Sequence, residues 1–136
     1  MRAVTIRAPG GPEVLVEGTL PNPVPRAGEV LIDVTAAGVN RADLMQREGR
    51  YPPPPGAPPG PGLEVSGTIA ALGPDVAGWA VGERVCALLD GGGYADRVTA
   101  PAGQLLPVPL GSTSSTRLGY PRPSAPRGRT SPVRVG

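Results

Sequence analysis

Apolar and polar residues alternate with a period of two over several short stretches, as they do in strands that bury one face. The strongest is residues 29–37 (EVLIDVTAA), where Val30, Ile32 and Val34 fall on one side and Leu31, Asp33 and Thr35 on the other. Residues 1–8 place Val4 and Ile6 on one face, and residues 14–16 predict a short second strand. Residues 63–72 (LEVSGTIAAL) set Leu63, Val65, Ile69 and Ala71 to one side, with Gly67 marking a bend or a close backbone approach. Residues 83–88, 94–99 and 104–108 complete the set, with Asp90-Gly91-Gly92-Gly93 predicted as a hairpin connection between the first two of these. Pro9 to Pro12 and Gly73-Pro74-Asp75 read as turns, and Pro21, Pro23 and Pro25 forbid regular pairing before Gly28.

One segment changes period. Residues 40–49 (NRADLMQREG) predict a helix of about two turns, capped by Asn40, with Asp43 reaching back as the acidic partner of a capping box and Gly49 closing it. So short a helix must dock on the sheet to persist. Residues 51–61, from Tyr51 through a run of prolines, have too few donors for a ladder and predict an extended or polyproline-like loop. About seven short strands and one helix suggest a sandwich or a partly open barrel.

Composition narrows the chemistry. The 136 residues contain no His and one cysteine, Cys86, which excludes an imidazole-based triad, an internal disulfide and a cysteine-only zinc cluster. Every basic residue is Arg, so a lysine Schiff base is excluded as well. Cys86, in a strand context, reads as a buried inert thiol. No Phe is present and Trp79 is the one tryptophan, so the core must be built from Val, Leu, Ile and Ala. No long apolar run is present, and the first dozen residues are polar and turn-forming; a cytoplasmic location is the expectation.

The formal charge of +2 hides two unlike segments. Residues 1–111 hold all eleven acids and eight arginines, whereas residues 112–136 hold five arginines and no acid. The tail is rich in Ser, Pro, Gly and Arg and shows no periodicity, which predicts disorder. Its arginines lack the aromatic interleaving of a nucleic-acid-binding segment, so no nucleic-acid partner is expected.

Several separate motifs, taken together, carry a resemblance: Asn40 to Tyr51 (NRADLMQREGRY), Gly62 to Gly67 (GLEVSG), Val81 to Val85 (VGERV) and Gly92 to Ala95 (GGYA). With Gly10-Gly11-Pro12-Glu13 and the strand around Glu29, they resemble the zinc-independent NAD(P)H:quinone oxidoreductases (the zeta-crystallin-like group) of the medium-chain dehydrogenase/reductase superfamily. The resemblance covers residues 1 to about 111 in order. It implies a mostly β, GroES-like, partly open barrel with one short helix. It also implies a second, dinucleotide-binding Rossmann domain, for which this chain has no glycine-rich turn opening a helix; Gly91 to Gly93 lead into a strand-like segment instead. Domain boundaries of 1–111 and 112–136 follow. The tail composition is also what a GC-rich message gives when read out of frame, whereas the family continues with an Ala-rich helical segment.

The resemblance further implies NADPH or NADH as coenzyme of the full-length proteins and a quinone or unsaturated carbonyl as acceptor. Neither coenzyme is expected to bind this fragment tightly, and the family is typically homo-oligomeric. Zinc-dependent relatives carry a cysteine and a histidine where this chain has Asn40 and Leu63, so no catalytic zinc is expected. Asn40, Asp43 and Tyr51 are the expected lining of the reaction cleft, with Asn40, Tyr51 and Leu63 beside the coenzyme. Each has a plainer reading: Asn40 and Asp43 as a helix cap, Tyr51 packed on proline rings, Leu63 facing the core. Arg41 and Arg47 read as solvated or paired with Asp43 and Glu48, Glu64 as a buried structural acid, and Trp79 as a core plug beside Val81. The expected activity is hydride transfer to a quinone or enone by a longer protein, with this chain weakly active or inactive alone. The alternative is a stand-alone binding or oligomerisation module without catalysis.

Overall fold

The computed structural model describes residues 1–108 and the backbone of Ser131–Arg134. Strands β1 (Arg2–Ile6) and β2 (Leu15–Thr19) form an antiparallel pair, linked by a 3-10 turn at Pro12–Val14. β3 (Glu29–Val39) follows, then helix α1 (Arg41–Arg47), β4 (Glu64–Leu72), β5 (Arg84–Leu88), β6 (Arg97–Pro101), β7 (Leu105–Pro107) and β8 (Ser131–Arg134). The larger sheet has the order β6-β3-β4-β5-β7, with β8 also paired to β3. Every described pairing is antiparallel.

β3 organises this sheet because it combines β-branched Val30, Ile32 and Val34 with a length free of proline. All three are buried, and they meet Ile69, Val65 and Val98 in one apolar cluster. The end strands of the sheet path, β6 and β7, are separated in sequence by only a 3-10 turn at Ala102–Gln104. The sheet must therefore roll up to bring its two ends near one another, giving an open barrel around the cluster. The β1–β2 pair is fastened to the region just before β6: Val4 N–H donates to the Tyr94 carbonyl at 2.8 Å and Asp96 N–H to that of Arg2 at 3.0 Å. Asp96 in turn accepts from Arg2 N–H at 2.9 Å and pairs with its guanidinium.

The mostly β architecture with one short helix and an unclosed barrel agrees with the sequence reading. Gly67 sits opposite Val34, where a Cβ would collide with the Asp33 carbonyl oxygen, so the close approach read from the sequence is present. Trp79 packs against the cluster.

Three expectations are corrected. Asp90 to Gly93 do not form a hairpin: β5 pairs with β4 and β7, and β6 with β3. The return strand begins at Arg97, because the 92–94 stretch is taken up by contacts with residues 60–62. Val81 is exposed rather than part of the core, and Leu63 is only half-buried. Ser131–Arg134 form β8 against Ala36 to Val39; the remainder of the 112–136 tail lies outside the described residues.

Candidate functional site

The junction of β3 and α1 gathers the polar side chains. Asn40 leaves β3 in extended conformation (φ −122°, ψ 158°) and serves as the N-cap of α1. Its backbone N–H donates to Asp43 Oδ2 at 2.9 Å, the return half of a capping box. Asp43 is 4% exposed, and its carboxylate has two more donors: Gly62 N–H to Oδ1 at 3.1 Å, and the Tyr94 hydroxyl to Oδ2 at 2.9 Å. Three donors from three separate segments converge on one carboxylate, which compensates its loss of water. The Asn40 amide donates to Glu64 Oε1 at 3.3 Å, and Glu64, the first residue of β4, is completely buried.

Gly62 and Tyr94 reach Asp43 because two backbone segments lie side by side. Gly92 N–H donates to Gly60 O at 3.0 Å, Gly93 N–H to Gly62 O at 3.1 Å and Tyr94 N–H to Pro61 O at 3.2 Å. A Cβ on Gly62 would stand 2.6 Å from both Gly93 Cα and Tyr94 N, and its φ of +113° is a conformation glycine alone adopts freely. Burial, followed by the charge and hydrogen bond of Asp43, pushes the Tyr94 hydroxyl well above its ordinary titration range. Tyr94 is therefore a fixed neutral donor.

Helix α1 is docked at its far end as well. Arg47 accepts from Gly10 N–H at 3.0 Å through its carbonyl and donates from Nε to Gly10 O at 3.1 Å. Gln46 Nε2 donates to Gly60 O at 3.4 Å. Of the two readings of Arg41 and Arg47, solvated or paired, no ion pair to Asp43 forms among the described residues, where its carboxylate is engaged by three neutral donors. Glu48 pairs instead with Arg50, at 2.6 Å, and that guanidinium's hydrogen bond and charge lower the Glu48 carboxyl's titration.

Of the sequence-derived site residues, the structure brings Asn40 and Asp43 together and sets Leu63 next to Gly62 and Glu64, half-buried, its carbonyl accepting from Leu89 N–H at 2.8 Å. Tyr51 is 39% exposed at the start of the proline segment, and among the described residues no hydrogen bond ties its hydroxyl to the cluster. Tyr94 and Gly62 escaped the sequence reading as site residues. The available signal was the pairing of two glycine-rich stretches, GPGLE and GGGYA, which only a close backbone crossing requires. Among the described residues no three His, Cys, Asp or Glu side chains come together as a metal site, and no helix is long and apolar enough to cross a membrane. The one described helix is α1, with no glycine turn before it and Asp43 across its own first turn, so these residues do not fit the pyrophosphate of a dinucleotide.

The rolled antiparallel sheet, the single short helix and the buried carboxylate at its start define a GroES-like lobe of the alcohol dehydrogenase type. The chain belongs to that family: the sequence profile of the alcohol dehydrogenase GroES-like domain matches residues 26–110. Mouse quinone oxidoreductase is 38% identical over 125 residues, which is 89% of this chain and 38% of that protein. The mouse synaptic vesicle membrane protein VAT-1 homolog-like is 36% identical over 121 residues, 89% of this chain and 29% of that protein. Among solved structures, the human VAT-1 homolog-like protein superposes with a TM-score of 0.80 at 37% identity, covering 85% of this chain and 38% of that one. Escherichia coli quinone oxidoreductase complexed with NADPH gives 0.77 at 27% identity, covering 85% and 36%. The chain thus spans about a third of the length of the curated relatives it matches, and corresponds to their N-terminal part.

Proposed function

We propose that this chain is the acceptor-side lobe of an NAD(P)H-dependent, zinc-independent reductase of quinones or other unsaturated carbonyls, operating in the cytoplasm. The observation that carries the reading is the half-buried Asn40, whose side-chain amide donates to Glu64 Oε1 while its backbone N–H is fixed on the Asp43 carboxylate. A carbonyl oxygen that is being reduced gains negative charge, and a preorganised neutral donor stabilises it without having to reorganise. Asn40 is that donor in this reading. Asp43, with both oxygens engaged, is a positioning residue. Tyr51 and Leu63 form the apolar flank against which a flat ring would lie.

Zinc independence is supported by the donor set: an amide and an alkyl side chain stand at positions 40 and 63, and no metal-ligating cluster assembles among the described residues. The coenzyme, NADPH in the E. coli relative, would supply the hydride. Its grip is assigned to a second domain, so residues 1–111 by themselves are expected to turn over little or nothing. A second reading is a binding or oligomerisation module without catalysis; β8, which completes an edge of the sheet from within this chain, favours its stand-alone binding form.

A chimera separates the two. Residues 1–108 replace the corresponding lobe of mouse quinone oxidoreductase, and NADPH oxidation is followed with a simple quinone. Turnover is expected, with kcat/KM falling about 100-fold in Asn40→Ala. A chimera that binds NADPH yet leaves quinones unreduced overturns the reductase reading.

A further inference from the structure

We propose that the edge of β3 from Ala36 to Val39 is a strand-acceptor site and that Ser131–Arg134 is its resident occupant, which keeps copies of this chain from pairing edge to edge. The need arises from the unequal lengths of the strands beside β3. On one side β4 accompanies it from Val30 to Ala37. On the other, β6 stops at Asp33, and the last bond from that side is Val34 N–H to Asp96 O at 2.8 Å. Beyond it, β8 takes over with the register Ala36↔Arg134, Ala37↔Val133, Gly38↔Pro132 and Val39↔Ser131.

The uncovered stretch would be Ala-Ala-Gly-Val. It has no charge, no proline and no bulky side chain, so it lacks the features that keep natural sheet edges from templating a second chain. β8 has them. A proline is accommodated in an edge strand when its nitrogen faces away from the ladder, and Pro132 then removes a donor from the outer side of β8. Arg134 adds a charge to the same short strand. The segment accepts pairing on one side and refuses it on the other.

Reach does not restrict the segment to its own body. Residues 109–130 join Val108 to β8, a span of up to ~80 Å when fully extended, against a radius of gyration of about 13 Å for a domain of this size. Insertion within one molecule wins because it is intramolecular. The covered edge ends one residue before Asn40, so the occupant also steadies the strand that delivers that residue.

The test uses the full chain and its Val133→Pro variant, which places a ring and a missing donor in the middle of β8. Ser124→Pro, outside the paired segment, is the control. Amide hydrogen exchange is read at the Ala36 to Val39 amides that face β8, and sedimentation velocity across a wide concentration range. Wild type and control are expected to be monomeric with a protected edge. In Val133→Pro the edge amides are expected to exchange about tenfold faster or more, with association that grows with concentration, while β3 amides facing β4 stay protected. A synthetic peptide of residues 129–136 is expected to restore protection and reverse the association. Equal exchange in wild type and variant, an exposed edge that stays monomeric, or a peptide without effect overturns the proposal. Should Val133→Pro lose the β4-facing protection, Ser131→Pro removes the other β8 donor of the same orientation and repeats the test.

Discussion

Two segments read as lining the site are held by opposite means. At the β3–α1 junction, Asp43 is fixed by three donors, a local one from Asn40 and two, from Gly62 and Tyr94, brought in by tertiary contacts. Along residues 51–56, by contrast, every residue is exposed, and the Pro54 carbonyl accepts from Ala57 N–H, just past the segment, at 3.1 Å. Pro52, Pro53 and Pro54 are each a proline followed by a proline, so φ is fixed by the ring and the α region is closed by the next residue. One region is rigid through many weak non-local bonds, the other through covalent geometry. The first is sensitive to single substitutions; the second is nearly indifferent to them.

A pair of glycine substitutions gives the largest separation. Gly62→Ala meets the Gly93 and Tyr94 backbone and carries a strained φ, so a loss of about 3–5 kcal/mol, or failure to fold, is expected on urea denaturation. Gly56→Ala, also at positive φ (+81°) but with nothing within 4 Å of the added Cβ, is expected to cost only about 1–2 kcal/mol. Equal losses at the two positions would mean that backbone strain, and not the 60–62/92–94 crossing, holds the junction together.

A smaller effect sharpens the same contrast. Tyr94→Phe removes one of three donors to a buried carboxylate and is expected to cost about 1–3 kcal/mol at neutral pH. It should also alter the alkaline limb of stability. The folded Tyr94 hydroxyl titrates above its unfolded value of about 10, so the unfolded chain releases this proton first. The stabilisation is complete below that pH and drains away as the pH rises past it. Thermal melts between neutral and strongly alkaline pH are expected to fall less steeply in Tyr94→Phe than in wild type; parallel curves would remove Tyr94 from the network. Smallest of all, Tyr51→Ala is expected to shift stability by no more than about 0.5 kcal/mol, since its ring is exposed and its hydroxyl is not tied to the cluster.

The legible part of the site was the part written in consecutive residues. The Asn40/Asp43 spacing announces the cap, and the same two residues form it. The extent of β3 and α1 could be read to within a residue or two, because period and capping are local properties. The third donor to Asp43 could not be found this way. Tyr94 lies 51 residues downstream, and nothing in its immediate neighbours distinguishes a tyrosine that donates to a carboxylate from one that fills a core. The glycines of the 90–93 stretch misled for the same reason: a hairpin and a close crossing both need residues without a Cβ.

By itself, then, the sequence determined where the chain extends, where it turns, which residues cap the helix and that positions 40 and 63 offer an amide and an alkyl chain. Tertiary structure alone decided that β6 bypasses β5 to reach β3, that Glu64 meets Asn40, and that Ser131–Arg134 lie along Ala36 to Val39. The division follows from what each kind of order depends on. Strand alternation and capping are fixed by neighbours a few bonds away, whereas pairing is chosen among many strands of similar pattern by how their side chains fill one shared interior.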